Sequence, residues 1–160
     1  MKIKIKICVC AIAVFIFCLS NSLWAQGQMR APDFTLTDLN NDSVSFSSYI
    51  NKQPVILFFW ASWCPFCRVE LIALSAIYDQ LEREGIVLLA INVGESAAKV
   101  DNFSKKNNLP FRMFLDKDTT VTQSFGILGI PTYILIDKKG YIRFTEHYFP
   151  KKQYKSLLLK

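Results

Sequence analysis

Between Pro54 and Trp60 the chain reads PVILFFW, and directly afterwards the apolar positions spread out to Cys67, Leu71, Leu74, Tyr78 and Leu81. An unbroken apolar run of this length is the pattern of a strand buried on both faces of a sheet. The spacings that follow, 4, 3, 4 and 3 residues, trace one stripe of a helix, predicted over 65–84 with Gly85 as its stop. The alternation then repeats. Residues 86–93 predict a second buried strand, and 96–107 a helix capped by Ser96 and ended by Asn107, Asn108 and Pro110. A strand over 111–115 and a short helix over 118–125 follow. Residues 132–136 and 141–145 predict a hairpin about the turn Asp137-Lys138-Lys139-Gly140, and the tail from Pro150 a short amphipathic helix. Ahead of all this, Ala31 to Leu36 opens a short strand, and Asn40-Asn41-Asp42 marks a turn before Val44-Ser45-Phe46. Strands alternating with helices describe an α/β layer fold: a central mixed β-sheet flanked by helices.

The first residues follow a different pattern. Lys2, Lys4 and Lys6 precede a 13-residue apolar run from Ile7 to Leu19, and polar residues follow up to Trp24-Ala25. A positive start, a short apolar centre and a small residue at the end are the parts of an export signal. The run is short of the roughly 20 apolar residues that a permanent span needs. Residues 1–25 therefore read as a signal peptide cleaved after Ala25, or as an amino-terminal membrane anchor if Leu23 blocks cleavage. Phe17, where a small residue would precede a lipidated Cys18, argues against a lipoprotein. In both cases 26–160 is one exported domain, periplasmic or otherwise outward-facing, touching the membrane only through residues 7–19 if these are retained.

This division changes the meaning of the composition. The chain has 160 residues, five cysteines and a formal charge of +6, with 51% hydrophobic and 20% charged residues. Such a hydrophobic fraction excludes a disordered chain. Three lysines and three cysteines (Cys8, Cys10, Cys18) fall in the leader, which leaves a charge of +3 and two cysteines, Cys64 and Cys67. Beyond the leader, lysine and arginine cluster no further than the pairs Lys105-Lys106, Lys138-Lys139 and Lys151-Lys152. No basic stripe for nucleic acid is present.

The chemistry gathers at Trp63-Cys64-Pro65-Phe66-Cys67, where the apolar strand gives way to the helix. Cys64 falls at the helix N-terminus, whose free N–H groups and dipole stabilise a thiolate. Cys67, three residues on, lies on the same face and is placed to close a disulfide with it. Pro65 suits the first helical position, where its missing N–H costs nothing. Since only the thiolate is nucleophilic, Cys64 attacks and Cys67 resolves. A structural zinc site fails on ligand count, because His147 is the one histidine. A copper-binding or carrier module using Cys64, Cys67 and His147 remains an alternative, since soft thiolates suit Cu(I). Redox exchange is the reading that uses the placement of the pair.

The stretches APDFTLTDL, PVILFFWASWCPFC, INVGES and GIPTYILIDKKG, in this order across residues 31–160, resemble the TlpA/ResA-like branch of the thioredoxin superfamily. The resemblance implies a thioredoxin-like fold with an added N-terminal β-hairpin, and extracytoplasmic thiol–disulfide exchange with no cofactor beyond the Cys64–Cys67 disulfide. It implies that Pro131 is a cis-proline facing the disulfide and that a substrate backbone pairs with Ile130. Trp63, Pro65 and Phe66, which frame the cysteines, are then further candidate substrate-binding residues. It also implies acids beside the dithiol at Glu70 and Glu95. A negative charge there disfavours thiolate and makes the couple more reducing, although a solvated helix acid accounts for each of them equally well. Arg68, next to Cys67, works in the opposite sense. Where ordinary thioredoxins carry a buried Asp six residues before the first cysteine, this chain has Phe58. The partners implied are protein thiols and disulfides, including apocytochrome c before haem attachment, with a membrane thiol–disulfide reductase as electron donor. A peroxiredoxin-like peroxide reductase is the competing enzyme reading, disfavoured by Ala61 where that family uses Thr or Ser.

Overall fold

The computed structural model describes residues 29–159. The leader over 1–25 lies outside the described residues. Among those described, seven strands form one mixed sheet: β1 (Thr35–Asp38), β2 (Ser43–Ser45), β3 (Val55–Trp60), β4 (Val87–Val93), β5 (Met113–Asp116), β6 (Thr132–Ile136) and β7 (Ile142–Glu146). Their order is β2-β1-β5-β4-β3-β6-β7. β3, β4 and β5 run parallel, and every other pairing is antiparallel. Four α-helices cover the sheet: α1 (Pro65–Arg83), α2 (Ala97–Lys106), α3 (Thr120–Ser124) and α4 (Tyr154–Leu158). The α/β expectation, with its appended hairpin, is met.

β3 lies at the centre, and all six of its residues are buried. Alternation divides them between two cores. Ile56, Phe58 and Trp60 pack with Leu71 and Leu74 of α1 and Val100 of α2, whereas Leu57 and Phe59 face Phe46, Val121 and Ile134. Full burial of each of these side chains stabilises the fold by roughly 1.5–3 kcal/mol. Two apolar layers on one strand hold its C-terminal end rigid, and that end carries the cysteines.

The boundaries differ from the pattern where side chains take over backbone partners. The strand expected from Ala31 begins at Thr35. Pro32 has no N–H to give a ladder, and Asp33 Oδ1 accepts from the amides of Phe34 and Ser47 instead. β2 stops at Ser45, where Phe46–Tyr49 turns into a 3-10 helix. β5 starts at Met113 rather than at residue 111. At its far end Asp116 is buried and accepts from the Val121 and Thr122 amides, fixing the start of α3. Ser96 stands at the N-cap of α2 without a side-chain cap bond.

The β1–β2 hairpin joins the sheet through β5, with Thr37 opposite Leu115 and Asp38 opposite Phe114. Asp38 holds the junction: Oδ2 accepts from Arg112 Nε and Nη2 at 2.9 and 2.7 Å, and Oδ1 accepts from the amides of Asn40 and Asp42. Burial works to raise this carboxyl, but the bonds from Arg112 and the two amides outweigh it and hold the group below its ordinary range.

Candidate active site

Cys64 is the N-cap of α1, with extended backbone, and Pro65 follows in the first turn. The two cysteines are joined as a disulfide across a Cα–Cα distance of 5.3 Å. Cys64 Sγ also accepts a bond from the Cys67 amide at 3.1 Å, so a helix-end N–H points directly at the sulfur. The same donor stabilises a thiolate at that position when the pair is reduced. Cys67 is fully enclosed, whereas Cys64 keeps 3% of its surface open. Of the two, Cys64 is the more accessible. Trp63 (61% exposed) and Phe66 (75% exposed) stand beside it as an apolar rim.

Across from the helix end, Gly129-Ile130-Pro131 leads into β6. The Ile130–Pro131 peptide bond is cis, and the Ile130 carbonyl oxygen lies 3.8 Å from Cys64 Sγ. β6 arrives there because it pairs antiparallel with β3, Thr132 opposite Phe59 and Tyr133 opposite Phe58. Between α1 and this turn is an open cavity of about 460 Å³, lined by Phe66, Val69, Glu70, Gly129, Ile130, Pro131 and His147. His147 donates from Nδ1 to the Pro131 carbonyl oxygen at 2.7 Å, with Thr132 Oγ1 3.3 Å away. Thr132 Oγ1 in turn donates to the Gly129 carbonyl at 2.7 Å. These two bonds tie down the turn that faces the disulfide.

The two acids occupy different environments. Glu70 is half-buried in the cavity wall, and its Oε2 accepts from the Tyr133 hydroxyl at 2.7 Å. Glu95 is buried behind the loop that carries the cysteines. Its carboxylate accepts from the Ser62 amide (2.6 Å), Ser62 Oγ (2.7 Å), Asn92 Nδ2 (2.8 Å) and Lys99 Nζ (2.7 Å). Burial works to raise the Glu95 carboxyl, but the bonds from Asn92, Lys99 and Ser62 prevail and hold it at about 2. Such a group stays ionised at working pH. Its chemical consequence is to fix Ser62, two residues before Cys64. Arg68 serves the same loop, donating from Nε to the Ser62 carbonyl at 2.8 Å and resting its guanidinium over Phe103.

Among the described residues no group of three His, Cys, Asp or Glu side chains stands close enough to hold a metal ion. His147 belongs to the cavity wall and binds the Pro131 carbonyl through Nδ1. Ala61 is fully buried and brings no hydroxyl toward Cys64.

The model of the AhpC/TSA family matches residues 28–145. The chain belongs to the AhpC/TSA family. It is 35% identical over 113 residues to the thiol-disulfide oxidoreductase ResA of Geobacillus kaustophilus, covering 71% of this chain and 64% of that protein. It thus spans slightly less than two thirds of that relative's length. Its likeness to ResA of Halalkalibacterium halodurans is 32% over 126 residues, covering 79% of this chain and 70% of that protein. The crystal structure of StoA from Bacillus subtilis superposes with a TM-score of 0.67 at 28% identity, over 79% of this chain and 96% of that one. The fold is thioredoxin-like, and these relatives put the chain in the ResA/TlpA-like group.

Phe66, Glu70, Ile130 and Pro131 line one cavity, and Cys64 adjoins it through its 3.8 Å approach to the Ile130 carbonyl; Trp63, Pro65 and Cys67 belong to the adjoining helix start and do not line it. Glu95 stands apart from it, behind the loop. Sequence reasoning did not find Tyr133, Ser62 or Asn92. The available signal for Tyr133 was its hydroxyl inside the otherwise apolar part of β6, since a buried phenol requires a partner.

Proposed function

We propose that this chain is a thiol–disulfide oxidoreductase that acts outside the cytoplasm as a dithiol reductant of protein disulfides. The observation that carries this reading is Cys64 at the N-terminus of α1, bonded to Cys67, open at the mouth of an apolar cavity and opposite the Ile130 carbonyl. In the reduced protein the Cys64 thiolate attacks one sulfur of a substrate disulfide, forming a mixed disulfide and expelling the other substrate sulfur as thiolate. Cys67, deprotonated, then attacks Cys64 Sγ and releases the second substrate thiol. Two electrons and two protons pass to the substrate, and the Cys64–Cys67 disulfide remains. No cofactor beyond the cysteine pair enters these steps.

Trp63 and Phe66 offer apolar contact to a polypeptide at the mouth, and Glu70 sets a negative charge in the cavity. That charge disfavours thiolate and so favours the reducing direction. In this reading the substrates are protein disulfides, among them the cysteine pair of apocytochrome c before haem attachment. A membrane thiol–disulfide reductase restores the dithiol. The leader-like pattern over 1–25 and the ResA relatives support the outward-facing location; among the described residues no helix is long and apolar enough to cross a membrane.

Cys67→Ser leaves the first attack possible and blocks the second, so the variant should accumulate a mixed disulfide through Cys64 with its exported substrate. Absence of any adduct, with in vivo function retained, would remove Cys64 from the role of nucleophile. A reduction potential near −120 mV instead of near −270 mV would overturn the reducing direction. Rapid peroxide consumption by the purified dithiol would favour the peroxidase reading.

A further inference from the structure

β3 carries no titratable side chain beneath the helix end, since every residue from Val55 to Trp60 is apolar. A buried hydroxyl comes instead from the neighbouring strand β6. Tyr133 lies directly across from Phe58 in the β3–β6 pairing, and its ring packs against Phe58 at 4.6 Å and Phe149 at 5.6 Å between centroids. The side chain is fully buried, and its hydroxyl donates to Glu70 Oε2 at 2.7 Å. Tyr133 lies two residues past Pro131, which lines the cavity just ahead of β6. One hydrogen bond therefore links the two walls of the cavity, β6 on one side and α1 on the other.

Resting on the thiol–disulfide reading, we propose that Tyr133 is the positioning residue that holds Glu70 in the cavity wall, so that the acid's charge acts on the cysteine pair from a set place. Packing alone does not call for the hydroxyl: a phenylalanine would fill the space between Phe58 and Phe149. A hydroxyl in an apolar layer is unfavourable unless it is bonded. Glu70 is half-buried, and holding its long side chain still opposes its rotamer freedom. Both costs are met by the same bond, whose effect falls on the cavity. Burial, reinforced by the Glu70 bond, pushes the phenol far above its usual value, so Tyr133 remains a donor throughout the working pH range. Without it Glu70 is free to swing into water, where screening weakens its effect on a nearby thiol.

The test is the pH dependence of Cys64 alkylation by iodoacetamide in the reduced protein. Wild type is compared with Tyr133→Phe, Glu70→Gln, Glu70→Asp and the Tyr133→Phe/Glu70→Gln double variant. Removing the charge in Glu70→Gln should lower the pH midpoint by about one unit. Tyr133→Phe should lower it by about half as much, and the double variant should match Glu70→Gln alone. Glu70→Asp keeps the charge but withdraws it from the hydroxyl, so it should reproduce the partial shift without altering the core. Thermal denaturation of each variant separates a changed site from a damaged fold. The proposal is overturned if Tyr133→Phe and Glu70→Asp retain the wild-type midpoint. It is also overturned if Glu70→Gln shifts nothing, or if the double variant shifts well beyond Glu70→Gln. Failure of the wild-type dithiol to exchange with a protein disulfide would defeat the functional reading instead, while the alkylation profiles would still report whether Tyr133 acts through Glu70.

Discussion

Glu95→Ala removes the acceptor of four bonds from behind the active-site loop. The Ser62 amide and Asn92 Nδ2 are buried and lose their partner. Each stranded buried donor costs about 1–3 kcal/mol. Lys99 is 56% exposed and adds well under ~1 kcal/mol, because water replaces its partner. These contributions place the destabilisation near ~3 kcal/mol. The depressed carboxyl expresses the same bonds as a proton affinity: lowered from 4.5 to about 2 in a buried group, at ~1.4 kcal/mol per unit it amounts to about 3 kcal/mol. The folded-state value lies below the unfolded one, so this stability is complete above about pH 5 and is lost as pH falls from 4.5 toward 2. Urea unfolding of the oxidised protein, followed by tryptophan fluorescence from pH 7 to pH 2.5, measures both effects. Glu95→Ala should lower stability at pH 7 by ~3 kcal/mol. Glu95→Gln, which cannot ionise, should lose less stability than wild type below pH 4.5, while Asp38, Glu84 and Asp137, whose carboxyls are also held low, keep their share of the loss. The reasoning fails if Glu95→Ala lies within about 1 kcal/mol of wild type at pH 7. It fails equally if Glu95→Gln follows the wild-type acid profile.

Three further substitutions probe the scaffold, each read by urea or thermal unfolding. Phe58→Ala opens a cavity against Tyr133 in a fully buried layer and should cost ~3–5 kcal/mol. Asp38→Ala frees Arg112 and strands the Asn40 and Asp42 amides, so about 2 kcal/mol should be lost, with fraying of β1 and β2 visible in hydrogen exchange. Gly140→Ala forces a Cβ onto a residue with φ of +88°, 2.6 Å from Ile50 Cδ1; the strained backbone should cost ~1–3 kcal/mol, since the isoleucine tip alone has room to move.

Much of the fold was legible because its signals are local. The PVILFFW run and the Cys67-Leu71-Leu74-Tyr78-Leu81 stripe placed β3 and α1 within one or two residues. The errors arose where a distant side chain competed for backbone partners, as Asp33 does in keeping Ala31 to Phe34 out of a strand. Glu70 and Glu95 show the same limit at the site. In the sequence each reads equally well as an acid beside the dithiol or as a helix-associated acid until its neighbours are placed. Glu95 then proves to be a strut for Ser62, whereas Glu70 enters the cavity on a bond from a tyrosine 63 residues away.

Cys64 and Cys67 needed no tertiary information, because three residues at a helix start determine both their separation and the amide that meets the sulfur. The surface facing them is another matter. The Ile130 carbonyl faces Cys64, and Pro131 and His147 line the cavity beside it, because β6 enters the sheet antiparallel to β3, the strand that delivers the cysteines. Periodicity along a chain reports which faces are buried, but not which strand will lie beside which. The dithiol was therefore written in the sequence, while the cavity beside it was decided by strand order.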